Sequence, residues 1–358
     1  MRKPKRITIK MVAREAEVST QTVSRVLNER PDVSPETRQR VQEIIERLGY
    51  HPSALARSLI QQRSRTIGII TAGLNYVGPS RALNGITQRA ERLGYVLLLK
   101  ESASFQPADI QSLIRPLLAR QVDGIIWAIP DIGSNHDWIR EHAVELPVPV
   151  VFLTIEPDGG TPSVSVDNYK GGCLAVDHLL QQGCREIGHL SGPLDWWEAR
   201  ARKAGWRDTL ANAALPATDE CSVEGNWSPA SGERAMRQLL EQYPDMDGLF
   251  VANDQMALGA LNVAIEQGVY IPERLAVVGF DNLPESAHFH PPLTTVEQDL
   301  HQLGCSAIEK LVHIIEAEQI GDEVSGENVT ILEPALIVRE SSSWGRVPGS
   351  EKSRSAGS

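Results

Sequence analysis

Near the start of the chain, apolar residues recur at helical spacing in three short stretches separated by polar breaks. Val12, Ala13 and Ala16 form the first stripe, and Val18 closes it. Ser19 then stands as N-cap of a second helix carrying Val23, Val26 and Leu27, only a few residues after the first. Ser34 caps a third, with Pro35 at its first position and Gly49 at its end; Val41, Ile44, Ile45 and Leu48 are spaced i, i+3, i+4, i+7 between them. Three such stripes can share one small core, so the pattern predicts an all-α head.

Beyond Ser64 the period changes. Short apolar runs at Thr66 to Ile70, Val96 to Leu99, Gly124 to Ile129 and Val150 to Leu153 read as buried strands, with helices such as Ala82 to Leu93 and Ile110 to Arg120 between them. A second series follows with Ile187 to Leu190, Gly248 to Val251 and Ala276 to Gly279. Strands alternating with helices imply parallel sheets covered on both faces, and two such series predict two similar α/β halves. No fixed-period sequence repeat accompanies them. Ser341 to Ser358 is rich in Ser, Gly and charge and has no leucine heptad, which predicts a flexible tail and no coiled-coil tetramer.

Charge adds a functional clue. Residues 1 to 66 hold 14 Lys plus Arg against 7 Asp plus Glu, whereas the remainder holds 21 against 39. A basic head on an acidic body suggests that the head meets a polyanion while the body stays soluble. No stretch approaches about eighteen uninterrupted apolar residues, and the basic start Met1 to Arg6 runs into polar residues in place of an apolar signal region. The expectation is a cytoplasmic protein with no membrane contact. Cys173, Cys184, Cys221 and Cys305 are scattered and form no Cys-x-x-Cys pair, so they read as reduced thiols. His288 and His290 lack further ligands nearby, and the nucleophile-elbow, phosphate-loop, dinucleotide-loop and zinc-helix motifs are missing. The chain is expected to be no enzyme, with no cofactor and no metal; Asp and Glu pairs in the later loops leave a glycosidase as a formal alternative.

Two constellations carry chemistry. At the start of the second helix Thr20, Gln21, Thr22 and Arg25 are residues suited to a major groove: Gln bonds adenine through two atoms, Arg forks onto guanine, and Thr offers a methyl and a hydroxyl. In open α/β sheets ligands bind beyond the carboxyl ends of strands. The loops there include Asn75 to Ser80, Gly192 to Arg202 with Trp196 and Trp197, Asn226 to Ser228, Val251 to Gln255, and Gly279 to Asp281. Arg, Asp, Asn and Trp together suit a saccharide, which offers vicinal hydroxyls and a C–H face. Trp196 and Trp197 suit a base as well as a sugar. On the residues alone, Arg202 could be a surface ion pair, Trp227 core packing and Asp281 a helix cap.

The strings Thr22-Val23-Ser24-Arg25-Val26-Leu27-Asn28, Val33 to Arg38 and Leu48 to Leu59 resemble the lactose-repressor (LacI/GalR) family of transcription regulators. Asn253 to Gly259 and Pro291 to Gln298 match its body motifs, and the resemblance covers nearly the whole chain. It implies a small all-α helix-turn-helix DNA-binding head plus an α/β two-lobed periplasmic-binding-protein-like effector domain. The implied boundaries are a head at 1–52, a hinge helix and linker at 53–63, an effector and dimerisation domain at 64–340, and a tail at 341–358. Within the body, lobe one would hold about 64–166 and 298–327, and lobe two about 167–297 and 328–340. The DNA contacts implied are Thr8, Ser19, Thr20, Gln21, Thr22, Ser24, Arg25 and Asn28, with Ala56 and the wedge Leu59 on a hinge helix in the minor groove.

In the body, Arg202, Asn253 and Asp281 fall on the family's hydroxyl-binding positions, Trp227 on its stacking position, Gln298 on a cleft wall, and Tyr76 and Pro79 on an apolar first-lobe wall. Thr154, Val166 and Glu198 fall where the lactose-type pattern has Asp, Phe and Ser, so a sugar ligand need not be a galactoside. Two head positions also depart. Glu17 replaces a turn glycine, and Met11 replaces the acidic partner of Thr8 in a capping box.

The partners implied are double-stranded operator DNA, a small-molecule saccharide effector and a second copy of the chain in a homodimer. The expected action is repression of sugar-utilisation genes, relieved by the saccharide. Alternatives are corepression by a purine-like ligand, or a sugar-binding protein that does not bind DNA.

Overall fold

The computed structural model describes residues 7–27, 30–50, 63–133, 135, 138, 146–321 and 328–343. It divides into two compact units, 1–65 and 66–358.

The first unit is the expected three-helix head: α1 (Ile9–Glu15), α2 (Thr20–Leu27) and α3 (Pro35–Leu48). Val12, Ala13, Ala16, Val23, Val26, Val41, Ile44 and Tyr50 form its core. Ser19 Oγ accepts from the Thr22 amide at 3.0 Å, and Ser34 Oγ from the Thr37 amide at 3.3 Å, so both caps act as read from the sequence. Gly49 ends α3 in the left-handed region. By contrast, Thr8 makes no side-chain cap bond, and with Met11 in place of an acid the first turn of α1 carries no carboxylate.

Glu17 sits at φ 53°, a left-handed conformation that costs a side chain on the order of 1 kcal/mol. Glu17→Gly is therefore expected to stabilise the head by about 1 kcal/mol. Hydrogen exchange at the buried amides of α1 to α3 in the full chain should slow by about fivefold; unchanged exchange would mean that the turn carries no strain.

The second unit contains, in chain order, β1 (Thr66–Ala72), α4 (Val77–Arg92), β2 (Val96–Ser102), α5 (Gln111–Leu118), β3 (Gly124–Ala128), β4 (Val150–Leu153) and β5 (Ser163–Val166). There follow α6 (Asn168–Gln181), β6 (Ile187–Ser191), α7 (Trp197–Asn212), β7 (Ser222–Glu224), α8 (Pro229–Gln242), β8 (Gly248–Val251), α9 (Asp254–Glu266) and β9 (Ala276–Phe280). The chain closes with β10 (Thr294–Glu297), α10 (Leu300–Ile320), β11 (Val329–Leu332) and β12 (Ala335–Ile337).

These form two six-stranded sheets, ordered β11-β5-β4-β3-β1-β2 and β12-β10-β9-β8-β6-β7. The orders correspond strand for strand, so the two halves share a topology that the sequence does not display as a repeat. Pairing is parallel throughout except for β12, which runs antiparallel to β10. Successive strand residues feed opposite cores: Ile126, Val151 and Leu153 pack under α4 and α10, while Ile125, Trp127 and Phe152 pack under α5. Burial on both faces is why these strands read as continuous apolar runs.

The chain crosses between lobes at Asp167, at Gln298–Asp299 and at Glu333–Pro334. The last crossing corrects the expectation that 328–340 lies wholly in the second lobe. β11 pairs with β5, Val329 opposite Ser163, and covers the open edge of the first sheet. Only β12 joins the second. The flexible tail expected from Ser341 is also corrected at its first residues. Ser341 and Ser342 are buried, Ser341 Oγ donating to the Val277 carbonyl at 2.6 Å, with Ser342 Oγ 2.8 Å from His178 Nε2. Most of that segment, 344–358, lies outside the described residues.

Candidate functional site

On the head, Thr8, Ser19, Thr20, Gln21 and Arg25 are exposed, and Thr22 and Ser24 are half-buried on the same helix that buries Val23 and Val26. Arg25 forms an ion pair with Asp32 at 3.3 Å, both side chains about half exposed, so the guanidinium can exchange this partner for another anion at little cost. Asn28, Ala56 and Leu59 lie outside the described residues.

In the second unit a cavity of about 1010 Å³, mouth included, opens between the carboxyl ends of the two sheets. The loop or helix that follows each strand from β1 to β10 sends at least one residue into its wall: Tyr76, Phe105, Pro130, Thr154, Asn168, Arg202, Trp227, Asn253, Asp281 and Gln298 in turn. All seven body residues singled out from the sequence line this one cavity, Pro79 among them.

Arg202 is no surface ion pair: it is 5% exposed and dense with partners. Its Nε donates to Asn168 Oδ1 at 2.8 Å, its Nη1 to the Ala252 carbonyl, and its guanidinium lies 3.7 Å from the Phe280 ring centroid and 3.8 Å from Asp281 Oδ1. Burial lowers its pKa, against the pull of Asp281, Glu198 and Asp254. Asp281 caps no helix. Its φ of 115° places the carboxylate against Arg202, and Gln298 donates to it. Burial pushes its pKa to about 6 and, with the negative charge of Asp281, that of Asp254 to about 7. Asn253 caps α9 by accepting from the Met256 amide at 2.8 Å, while its amide donates to the Trp227 carbonyl at 3.0 Å. Much of its side chain is thus committed to holding Trp227, itself at φ 69°.

Buried in the wall of this cavity, Trp227 Nε1 and Glu198 Oε2 stay unpartnered. A hydroxyl can answer both, accepting from an indole N–H and donating to a carboxylate. Glu198 is 8% exposed, and burial pushes its carboxyl from the usual range to about 7. Thr154, Trp227 and Asp281, all non-glycine, share positive φ around this cavity, which is backbone strain concentrated at a site.

The raised Glu198 pKa has a definite sign. Between about 4.5 and 7 the folded site keeps a proton that the unfolded chain has lost, so this group's stabilisation is full below about 4.5 and fades as pH rises through 7. Glu198→Gln is expected to raise the stability of the ligand-free protein by of order 1–3 kcal/mol at pH 8, with the gain vanishing near pH 4.5. A thermal melt of both proteins across that range checks it; a gain independent of pH would contradict the ionisation argument.

At the turn that opens α7, residues 196–200, contacts span the lobes. Trp197 Nε1 donates to the Thr154 carbonyl at 2.8 Å, Arg200 meets Glu156 at 3.2 Å, and Trp196 packs edge-on against Phe105 at 5.1 Å. Sequence reasoning missed Phe105 and Asn168. Asn168 had a detectable signal, its position directly after the carboxyl end of a strand; Phe105 had none, standing in a polar bend.

Among the described residues no helix is long and apolar enough to cross a membrane, and no group of side chains could hold a metal ion.

Residues 8–53 match the family "Bacterial regulatory proteins, lacI family", and residues 176–342 match "Periplasmic binding protein-like domain". The chain is 35% identical over 320 residues to catabolite control protein A of Priestia megaterium, covering 89% of this chain and 95% of that protein. It is 33% identical over 317 residues to the lactose operon repressor of Escherichia coli K12, covering 88% and 87%. Among solved structures, the lac repressor dimer bound to operator and the anti-inducer ONPF superposes with a TM-score of 0.84 at 32% identity, over 94% of this chain and 99% of that one.

Proposed function

Because the chain belongs to the lacI family of bacterial regulatory proteins, whose members are DNA-binding transcription regulators and not enzymes, we propose that it represses sugar-utilisation genes as a cytoplasmic homodimer released from its operator by a saccharide. The observation that carries the ligand assignment is the cavity, where Arg202, Asp281 and Glu198 supply hydroxyl partners beneath the indole of Trp227. The anti-inducer in the lac repressor dimer structure gives independent support for a ligand in this fold.

Two heads related by a dyad would read a pseudo-palindromic operator with Thr20, Gln21, Thr22 and Arg25 in the major groove. Ala56 and Leu59 would act at its centre through the minor groove. A saccharide gripping Arg202 and Glu198 acts on the turn that holds Trp197 to Thr154 and Arg200 to Glu156, so occupancy changes how the lobes meet. The ligand shifts the DNA-binding equilibrium only by its differential affinity for the two states, a coupling of about 1–3 kcal/mol in typical cases. A purine-like corepressor is the second reading, favoured by the indoles of Trp196 and Trp227, which suit a flat base as well as a sugar.

Fluorescence anisotropy on operator fragments, with and without mono- and disaccharides or purines, tests both halves. Affinity should fall steeply with salt and fall again with the saccharide. A rise in affinity with a purine would favour corepression. Arg25→Ala should cost about 1–3 kcal/mol on the specific site and relax base preference there; unchanged affinity and preference would sink the assignment of the head.

A further inference from the structure

Building on the saccharide reading, we propose that the cavity is only the inner part of the ligand site and that a groove outside it holds a second sugar unit. The effector is then a disaccharide or longer oligosaccharide. Four half-buried rings run in file from the base of the cavity outward. Trp227 and Trp196 have centroids 5.8 Å apart, Trp196 and Phe105 5.1 Å, and Phe105 and Tyr76 5.7 Å, each pair tilted or edge-on. Trp227 lines the cavity alone, whereas Tyr76, Phe105 and Trp196 line both the cavity and the outer groove. Away from these rings the groove presents the exposed side chains of Glu101, Ser104, Gln106 and Asp195. Rings beside hydroxyl, amide and carboxylate groups are the combination that binds a pyranose.

The outer platform is built, not incidental. The Asn135 amide, fully buried, donates to the Phe105 carbonyl at 2.7 Å, and Ser102 Oγ donates to the Ser104 carbonyl at 2.7 Å. Gly73, at φ 65°, lets the Phe105 ring lie where any Cβ would collide with it. This fixes a ring of the first lobe at the cavity mouth, opposite Trp196 of the second. A single sugar in the cavity has Trp227 to stack on and needs no such platform. Because Phe105 and Trp196 meet only edge-on across the lobes, opening the lobes parts them, and a glycosidic chain can leave the cavity between them.

Calorimetric titration of the full chain tests this with glucose, galactose and mannose beside their β-1,4-linked disaccharides cellobiose, lactose and mannobiose. At least one disaccharide should bind about tenfold more tightly than its own monosaccharide. Asp195→Ala and Gln106→Ala alter the groove alone. Each should reduce disaccharide affinity about five- to tenfold, the loss of a hydrogen bond, and leave the monosaccharide within about twofold. A monosaccharide that binds as well as its disaccharide, or substitutions that weaken both equally, would overturn the second subsite while leaving the saccharide reading intact. Failure of every sugar to bind would remove the saccharide reading, and the subsite with it.

Discussion

Arg202→Lys is expected to weaken binding of the saccharide by about 100-fold and to silence its effect on operator release. The guanidinium donates in two directions at once, to Asn168 and to the Ala252 carbonyl, while facing Asp281 and lying flat on Phe280. A lysine ammonium is a point donor that cannot hold this fork or stack on the ring. Losing one or two charge-assisted hydrogen bonds in a buried site costs about 1.5–3 kcal/mol each. The substitution also leaves Asp281 and Asp254 less well compensated, so the melting temperature should fall. Because both carboxyls carry raised pKa values, that fall should be smaller at pH 5 than at pH 8. Calorimetry with the best saccharide, run beside the melts, measures both effects. Affinity within threefold of the parent would show that Arg202 holds the lobe together without touching ligand.

Gly192→Ala is expected to weaken the same ligand by about 30-fold or more, although the new methyl group meets no polar contact of the site. Gly192 lies directly beneath the six-membered edge of the Trp227 indole, in space that a Cβ would have to share with the ring. The backbone of Trp227 cannot retreat, because it is strained at φ 69° and its carbonyl is held by Asn253. The ring must therefore swing, and an aromatic stacking surface worth about 0.5–1.5 kcal/mol beyond the area it buries is misplaced. The emission of Trp227 should shift as its indole enters a different environment. Unchanged affinity would mean that the indole stacks on protein alone.

Much of the head was legible because its signals are local. Ser19, Ser34, Pro35 and Gly49 each act within one helical turn of themselves, and the strain at Glu17 followed from one residue in one turn. The central strands were equally plain, since burial on both faces leaves continuous apolar runs. Edge strands were not: β11 and β12 are short and partly exposed, and only their pairing partners, over a hundred residues away for β11, decide which sheet each joins. The cavity-lining residues of the loops were legible because Arg, Trp, Asn and Asp are conspicuous after a strand. Phe105 escaped because its role comes from Asn135 and Gly73, each remote in sequence. Asn253 was visible, but its engagement with Trp227 was not, since a hydrogen bond to a backbone carbonyl leaves no trace in composition.

The late return of the chain to both sheets bears on how the protein is made. With synthesis proceeding from the N-terminus, the first lobe still lacks α10 and the edge strand β11 when the whole second-lobe segment from Asn168 to Glu297 has been translated. The second lobe in turn lacks β12 until residue 337 has been added. Neither lobe can complete its sheet while its own main segment is the newest part of the chain, and the strands that finish the two are separated only by Glu333 and Pro334. Completion of the two lobes is thus nearly simultaneous, whereas the head, whose core draws only on residues 12 to 50, is free to form long before. A nascent chain can therefore carry a formed DNA-reading head before its ligand cavity exists, which makes the synthesis of residues 298–337 the point at which reading and regulation become joined.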